Sequence, residues 1–364
     1  MRLHRGDTGE VIRTRDQDDY MELYGYPFWQ VLREAYVPVM MEVVKKYGVN
    51  LRLICRVKDI DQKATAVILD TGERIEADLI VGADGIRTIV RRSAVPGGDV
   101  PMDTYWNAYI CRIPKEPILQ DPELAFIMNE HALWMSANMD QVLNLITYCK
   151  RWKVVEPPEL ATWSNEKGKC VLIGDAAHAM IPAAAQGAGM GIEDGPAIAE
   201  CLDRARNLSD IPRLLKAFET IRKPRTTRVK HQARANAEIF MVADPEAQRK
   251  RDHEWKSDPS NRTGYNLDKD KAEELKQGSL AKQNWLLGYD VYEVVSVIPP
   301  LRNKFCLANA VRRTKNWTEY WEFRVHEKGW HGNARAGSSY MNVLAMLVHM
   351  KRFMACVMRE VLRY

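Results

Sequence analysis

Two apolar runs in this sequence stop at a glycine and are followed at once by an aspartate, an arrangement able to hold a polar ligand. The first is Asp78-Leu-Ile-Val-Gly82-Ala-Asp84-Gly85-Ile-Arg87. The second is Val171-Leu-Ile-Gly174-Asp175-Ala-Ala-His178, followed by Pro182 and by Gln186-Gly187-Ala188-Gly189-Met-Gly-Ile-Glu193-Asp194. Ligands of open parallel sheets settle beyond the carboxyl ends of the strands, which is where both aspartates would stand. In the first run, Gly82 and Gly85 would let the backbone approach a bulky ligand, and Asp84 offers acceptors. In the second, the Asp175 carboxylate can accept hydrogen bonds from sugar-alcohol hydroxyls. Gly187, Ala188 and Gly189 there open a helix whose first amides are unsatisfied and favour a negatively charged or electron-rich group. A helix N-cap would account for Asp175 but not for the small residues after it, and a tight strand-to-helix turn would account for Asp84 and Gly85. His178 is read as structural, and no metal site is implied.

The elements that must position these residues are readable from periodicity. Leu32, Ala35, Tyr36, Val39 and Val43 follow helical spacing, and Gly48 stands where a helix ends in left-handed geometry. NLRLICRVKDI, TAVILD and RIEADLIVGADG read as successive strands joined by short turns, one of them at DTGE. AVPGGDVPMD breaks the pattern and leads into a strand-rich segment containing NAYICRIP and QVLNLITY. KCVLIGDAAH is a further short strand closed by glycine, leading into a helix on which Ile198, Cys201, Leu202 and Ala205 share a face. Another helix is expected from about Arg213 to Ile221. The charged stretch from Asp244 to Lys282 suits a solvated loop and helix.

Composition narrows the class. A chain of 364 residues, 46% hydrophobic, can bury a large core and suggests two domains. A net charge of +5, dispersed along the chain, gives no footprint for nucleic acid. The seven cysteines form no Cys-x-x-Cys pair, and several stand in apolar runs, so reduced thiols in a reducing compartment are expected. The N-terminus is too charged for a secretory signal, and no stretch offers about 18 uninterrupted apolar residues, so the expectation is a cytoplasmic protein with no membrane partner.

A flavin supplies both features the second run could recognise: ribityl hydroxyls, and a ring that gathers negative charge on reduction. At these residues the sequence resembles the FAD-dependent aromatic-ring monooxygenases, the family that includes salicylate hydroxylase and para-hydroxybenzoate hydroxylase. GDAAHAMIPAAAQGAGMGIED is similar to the family's flavin-ribityl motif, and DLIVGADGIRTIVRR to the motif whose Asp-Gly pair serves both FAD and the pyridine nucleotide. Arg33 falls where the family places an arginine that contacts FAD. The resemblance implies cofactor contacts at Arg33, Asp84, Gly85, Asp175, Gly187 and Ala188. The strand Tyr109-Ile-Cys-Arg112 resembles the family's Tyr-Arg strand, with Ile110 at the arginine's position and Arg112 two residues on, hence on the same face. Arg112 and Tyr148 are the candidates beside the substrate.

The expected fold is α/β: a Rossmann-like FAD/NAD(P)-binding domain with an inserted β-rich substrate domain. Residues 1–92 would be a partial FAD-binding domain, 93–163 a shortened substrate domain, 164–240 the return to the FAD-binding domain, 241–295 a polar helical extension and 296–364 a divergent tail. The Gly-x-Gly-x-x-Gly turn with which such a fold opens does not occur before Arg33, so the domain is expected to be truncated at its N-terminus. The implied activity is hydroxylation of a phenolic or polyketide-derived aromatic compound with FAD, NAD(P)H and O2, with a place in fungal secondary metabolism. The alternatives are a pseudoenzyme that does not bind FAD productively and a flavin oxidase or reductase without oxygen insertion.

Overall fold

The computed structural model describes residues 2–5, 8–14, 33–46, 48–61, 63, 65–95, 97, 102–122, 124–125, 128, 132–135, 144–257 and 285–297. In chain order the strands are β1 (Arg2–Arg5), β2 (Val11–Thr14), β3 (Val57–Asp61), β4 (Ala66–Leu69), β5 (Arg74–Glu76), β6 (Ile80–Gly82), β7 (Met102–Arg112), β8 (Ala132–Met135), β9 (Tyr148–Glu156) and β10 (Cys170–Leu172). The helices are α1 (Arg33–Lys46), α2 (Ile89–Ala94), α3 (Lys115–Gln120), α4 (Asp175–His178), α5 (Gly187–Leu202), α6 (Ile211–Phe240), α7 (Pro245–Ser257) and α8 (Val291–Val297). The chain divides into two compact units. One comprises Met1–Phe28, Met102–Glu156 and His231–Tyr289, the other Trp29–Pro101, Pro157–Lys230 and Asp290–Tyr364.

In the second of these units, β6 and β10 pair in parallel with Ile80 opposite Cys170 and Gly82 opposite Leu172. Their residues are short and apolar, and all three of β10 are buried, as befits a strand covered on both faces. Because the strands run the same way, both leave toward the same edge, so the two Gly-Asp runs emerge side by side. The Ile173 N–H to Gly82 carbonyl bond, at 3.0 Å, carries the pairing one residue past the strand ends. An antiparallel meander, β3-β4-β5, precedes β6. Its first strand begins only at Val57. The segment 50–55, expected as extended sheet, makes no strand, and Ile54 there is fully exposed with a left-handed backbone (φ 58°). Helix α1 closes where glycine was expected to close it: Gly48 has φ 77° and donates to the Lys45 carbonyl.

Helix α6 is the largest departure from the sequence reading, which ended it near Ile221. It runs 30 residues, through Pro224, to Phe240. A proline inside a helix removes one hydrogen bond and crowds the preceding turn. Here Arg222, two residues before it, and Arg225, directly after it, are buried in ion pairs that hold the helix on course.

In the other unit, β7 and β9 form a long antiparallel ribbon in which Arg112 pairs with Tyr148 and Cys111 with Cys149. A second sheet, ordered β2-β1-β8, packs Leu3 and Ile12 against Phe240 and Trp255. The charged α7 is not wholly solvated: Arg251 and Asp252 are buried, and Asp252 accepts a 2.9 Å ion pair from Arg5.

Candidate functional site

The site candidates in the β6/β10 unit are held by two loops and the helices that follow them. After β10 the chain turns at Gly174, whose φ of 58° and ψ of −144° suit glycine alone. Gly174, not Asp175, is the residue that caps α4, and no side chain bonds the cap. The capping alternative for Asp175 therefore does not apply. Its side chain is exposed and, among the described residues, has no hydrogen-bond or ion-pair partner. Helix α5 begins at Gly187 after Gln186, again with no side-chain cap, so its first amides are left unoccupied by side chains. The Gly174 turn and helix α5 touch backbone to backbone: a Cβ on Gly191 would lie 3.4 Å from the Gly174 Cα.

What fixes this arrangement is a buried charge network that sequence reasoning did not identify. Asp194 on α5 is fully buried and accepts from the Gly174 N–H at 2.7 Å, from His178 Nε2 at 2.5 Å and from Arg222 Nε at 2.8 Å. Arg222, also fully buried, donates to Glu193 at 2.7 Å and to the Met190 carbonyl at 3.1 Å. Arg225 closes a bidentate pair on Glu193 at 2.6 and 2.7 Å. Burial alone would raise the Asp194 carboxyl. The charges of His178 and Arg222, with the hydrogen bonds from His178 and Gly174, outweigh that and hold it below the ordinary carboxylate range. A loop from Pro157 to Lys169 packs over the same helices: Trp163 lies 5.2 Å from the His178 ring and 5.8 Å from Phe218. Glu219 on α6 accepts from Thr162 Oγ1 at 2.8 Å and from the Ser164 N–H at 2.9 Å. His178 is thus a structural residue as far as its Nε2 goes, while its buried Nδ1 has no hydrogen-bond partner among the described residues.

The loop after β6 is built differently. Gly85 has φ 77°, as a tight turn requires. One oxygen of Asp84 accepts the Ile89 N–H at 2.7 Å and the Val90 N–H at 3.3 Å, so this side chain secures the start of α2 together with the cap on Thr88. Gly82 serves packing. A Cβ there would meet Val90 Cγ1 at 2.6 Å and Leu172 Cδ2 at 2.9 Å. Arg91 joins the two loops, donating to the carbonyls of Ile86 (2.9 Å) and Ala176 (3.2 Å) from a buried position.

The structure therefore brings Asp84, Gly85, Asp175, Gly187 and Ala188 into one unit, around the shared edge of β6 and β10. Arg33 is in the same unit as the first residue of α1, and its side chain lies outside the described residues. Arg112 and Tyr148 belong to the other unit, where they pair across β7 and β9; Tyr148 is exposed, and the Arg112 side chain lies outside the described residues. Asp194, Glu193, Arg222, Arg225 and Arg91 were missed. Two acidic residues on the helix that follows the small-residue run, and two arginines three apart beyond the expected helix end, were the available signal.

The comparisons with known proteins bear on the same segment. The model of the FAD-binding domain family matches residues 140–233, which hold β9, β10, the Gly174–Asp175 turn, α5 and most of α6. The chain is 26% identical over 347 residues to an FAD-dependent monooxygenase of Beauveria bassiana, covering 80% of this chain and 79% of that one. Over most of its length the chain is thus similar to FAD-dependent monooxygenases. It is also 25% identical over 288 residues to 3-hydroxybenzoate 6-hydroxylase of Klebsiella oxytoca, covering 66% of this chain and 70% of the relative. Among solved structures, a salicylate hydroxylase in complex with substrate superposes with a TM-score of 0.55 at 19% identity, over 80% of this chain and 79% of that one. That likeness establishes the fold, which is the FAD-binding fold expected from the motifs.

Proposed function

We propose that this protein hydroxylates a small electron-rich aromatic compound, a phenol, aromatic acid or polyketide-derived aromatic, using FAD, NAD(P)H and O2. The observation that carries the reading is the exposed carboxylate of Asp175, unpartnered among the described residues, together with the uncapped, small-residue start of α5. This pair of features fits a flavin: Asp175 would accept from ribityl hydroxyls, and the amides of Gly187, Ala188 and Gly189 would face the electron-rich edge of the ring. Gly174 and Gly191 leave no side chain between the Gly174 turn and helix α5 where they meet. Asp84, Gly85 and Arg33 complete the proposed cofactor contacts. Bound FAD supplies the redox chemistry by which NAD(P)H and O2 yield a hydroxylated product and water.

The chain's own work is positional. The Asp194 network keeps the Gly174 turn and α5 in register, so the Asp175 carboxylate needs no rearrangement to accept a ligand hydroxyl. Arg112 and Tyr148 would orient the substrate, the arginine by pairing with a carboxylate or phenolate and the tyrosine by a hydrogen bond. The substrate class is supported by the relative named for 3-hydroxybenzoate, and a fungal setting by the Beauveria relative.

The test is flavin retention. The purified chain, mixed with FAD and freed of excess by gel filtration, should keep a flavin absorbance. Asp175→Ala should weaken FAD binding about 10- to 100-fold, the loss of a hydrogen bond to a charged group of about 1.5–3 kcal/mol. A colourless wild-type protein, or an Asp175→Ala variant that binds FAD equally well, would overturn the reading. With hydroxybenzoates as probes, NAD(P)H consumed should match hydroxylated product. Hydrogen peroxide released in step with NAD(P)H and no oxygenated product would assign an oxidase instead.

A further inference from the structure

The β7–β9 ribbon carries two thiols that the proposed hydroxylation does not use. Cys111 and Cys149 occupy the same register position on antiparallel strands, next to the Arg112–Tyr148 pair. Both are exposed, and the Cys111 thiol donates to the Cys149 sulfur at an Sγ–Sγ distance of 3.3 Å. We infer that Cys111 and Cys149 form a peroxide-responsive dithiol–disulfide site.

Backbone geometry permits the bond. Directly opposed residues of antiparallel strands have Cα atoms about 4.5–5.5 Å apart, within the span of about 4.4–6.8 Å that disulfides bridge. Joining the two sulfurs therefore calls for side-chain rotation rather than movement of the strands. The hydrogen bond to Cys149 pushes the Cys111 thiol above its ordinary value, with desolvation adding to it, so Cys111 is the partner that keeps its proton. The Cys149 sulfur, which accepts that hydrogen bond, is assigned the first attack. It attacks the O–O bond of hydrogen peroxide, forms a sulfenic acid and releases hydroxide. The Cys111 sulfur displaces the sulfenic oxygen as it loses its proton, closing the S–S bond. Two thiols are oxidised by two electrons and one peroxide is reduced to two waters.

The other described cysteines lack this combination. Cys170 and Cys201 are buried, and burial pushes each up to about 12. Cys55 is exposed, but its thiol donates to the Leu53 carbonyl and not to another sulfur. A monooxygenase that consumes NAD(P)H without hydroxylating a substrate releases peroxide, so that source of the oxidant rests on the function proposed above. The reactivity of the thiol pair does not, because the test supplies the peroxide.

The full chain is treated with hydrogen peroxide, residual thiols are alkylated and the tryptic peptides are analysed by mass spectrometry with and without dithiothreitol. The expected product is a peptide pair joining Cys111 to Cys149 within one chain, lost on reduction. Cys111→Ser should leave Cys149 as a sulfenic acid that dimedone traps. In Cys149→Ser, Cys111 should be oxidised at least about tenfold more slowly, because it lacks the partner through which it reacts. Circular dichroism establishes that both variants fold. The proposal is overturned if the two cysteines stay reduced, pass directly to sulfinic or sulfonic acid, or join chiefly to Cys55 or across two chains.

Discussion

Asp194 is the residue on which the second loop depends. It is buried, with three donors on two oxygens, so losing its charge would leave the buried Arg222 to rely on Glu193, a carboxylate it shares with Arg225. Breaking a buried pair from one side costs about 3–5 kcal/mol, and Asp194→Asn should lower the stability measured by urea unfolding by that order. Its pH dependence has a fixed sign. Because the folded carboxyl is held below its unfolded value, its stabilising contribution is complete above the unfolded value of about 3.9 and is lost as pH falls from there through the lower folded value. Unfolding curves from about pH 7 down to about pH 3 should therefore show a steeper acid loss in the wild type than in Asp194→Asn. Equal slopes would mean that Asp194 is not the titrating group.

At the scale of elements, the parallel pair β6 and β10 and the helix α2 behave as one packed piece. Gly82 has no room for a methyl group against Val90 and Leu172. Gly82→Ala should cost about 1–3 kcal/mol by overpacking. Val90→Ala in the same chain should relieve part of that, so the double variant should lose less than the sum of the two single changes. Additive losses would mean that the crowding lies elsewhere. Asp84→Ala removes the acceptor at the start of α2 and should cost about 1 kcal/mol. The same variant separates two roles: weakened FAD binding beyond what that destabilisation explains would put Asp84 on the cofactor, whereas unchanged binding would leave it a capping residue.

At the scale of the whole molecule, the proposed cofactor residues all fall in one of the two units, whereas Arg112 and Tyr148, proposed for the substrate, belong to the other. A ligand that binds the folded state stabilises it by about 2.7 kcal/mol at a hundred times its Kd. Saturating FAD should therefore raise the unfolding midpoint and slow amide exchange in 80–94 and 170–202. No change in either would contradict binding there.

The sequence by itself determined where the two loops begin, because a short apolar run that stops at glycine has few other ways to end. It also determined which short residues let the backbone pass closely, since the turn at Gly174 suits glycine alone and the left-handed turn at Gly85 favours it. The helix over 33–46, the strands around 66–82 and 170–172, and the likeness of the 174–194 segment to FAD-binding domains were legible for the same local reasons. Tertiary structure decided the rest. Arg222, Arg225, Glu193 and Asp194 read locally as charges for a solvated face, and a helix meeting Pro224 reads as a helix about to stop. Only the packing of α6 on α5 buries Asp194, Arg222 and Arg225 and pairs them with one another and with the half-buried Glu193, and a pairing between residues some 28 positions apart has no local signature. The same holds for Cys111 and Cys149, 38 residues apart in sequence, which only the register of β7 on β9 sets side by side.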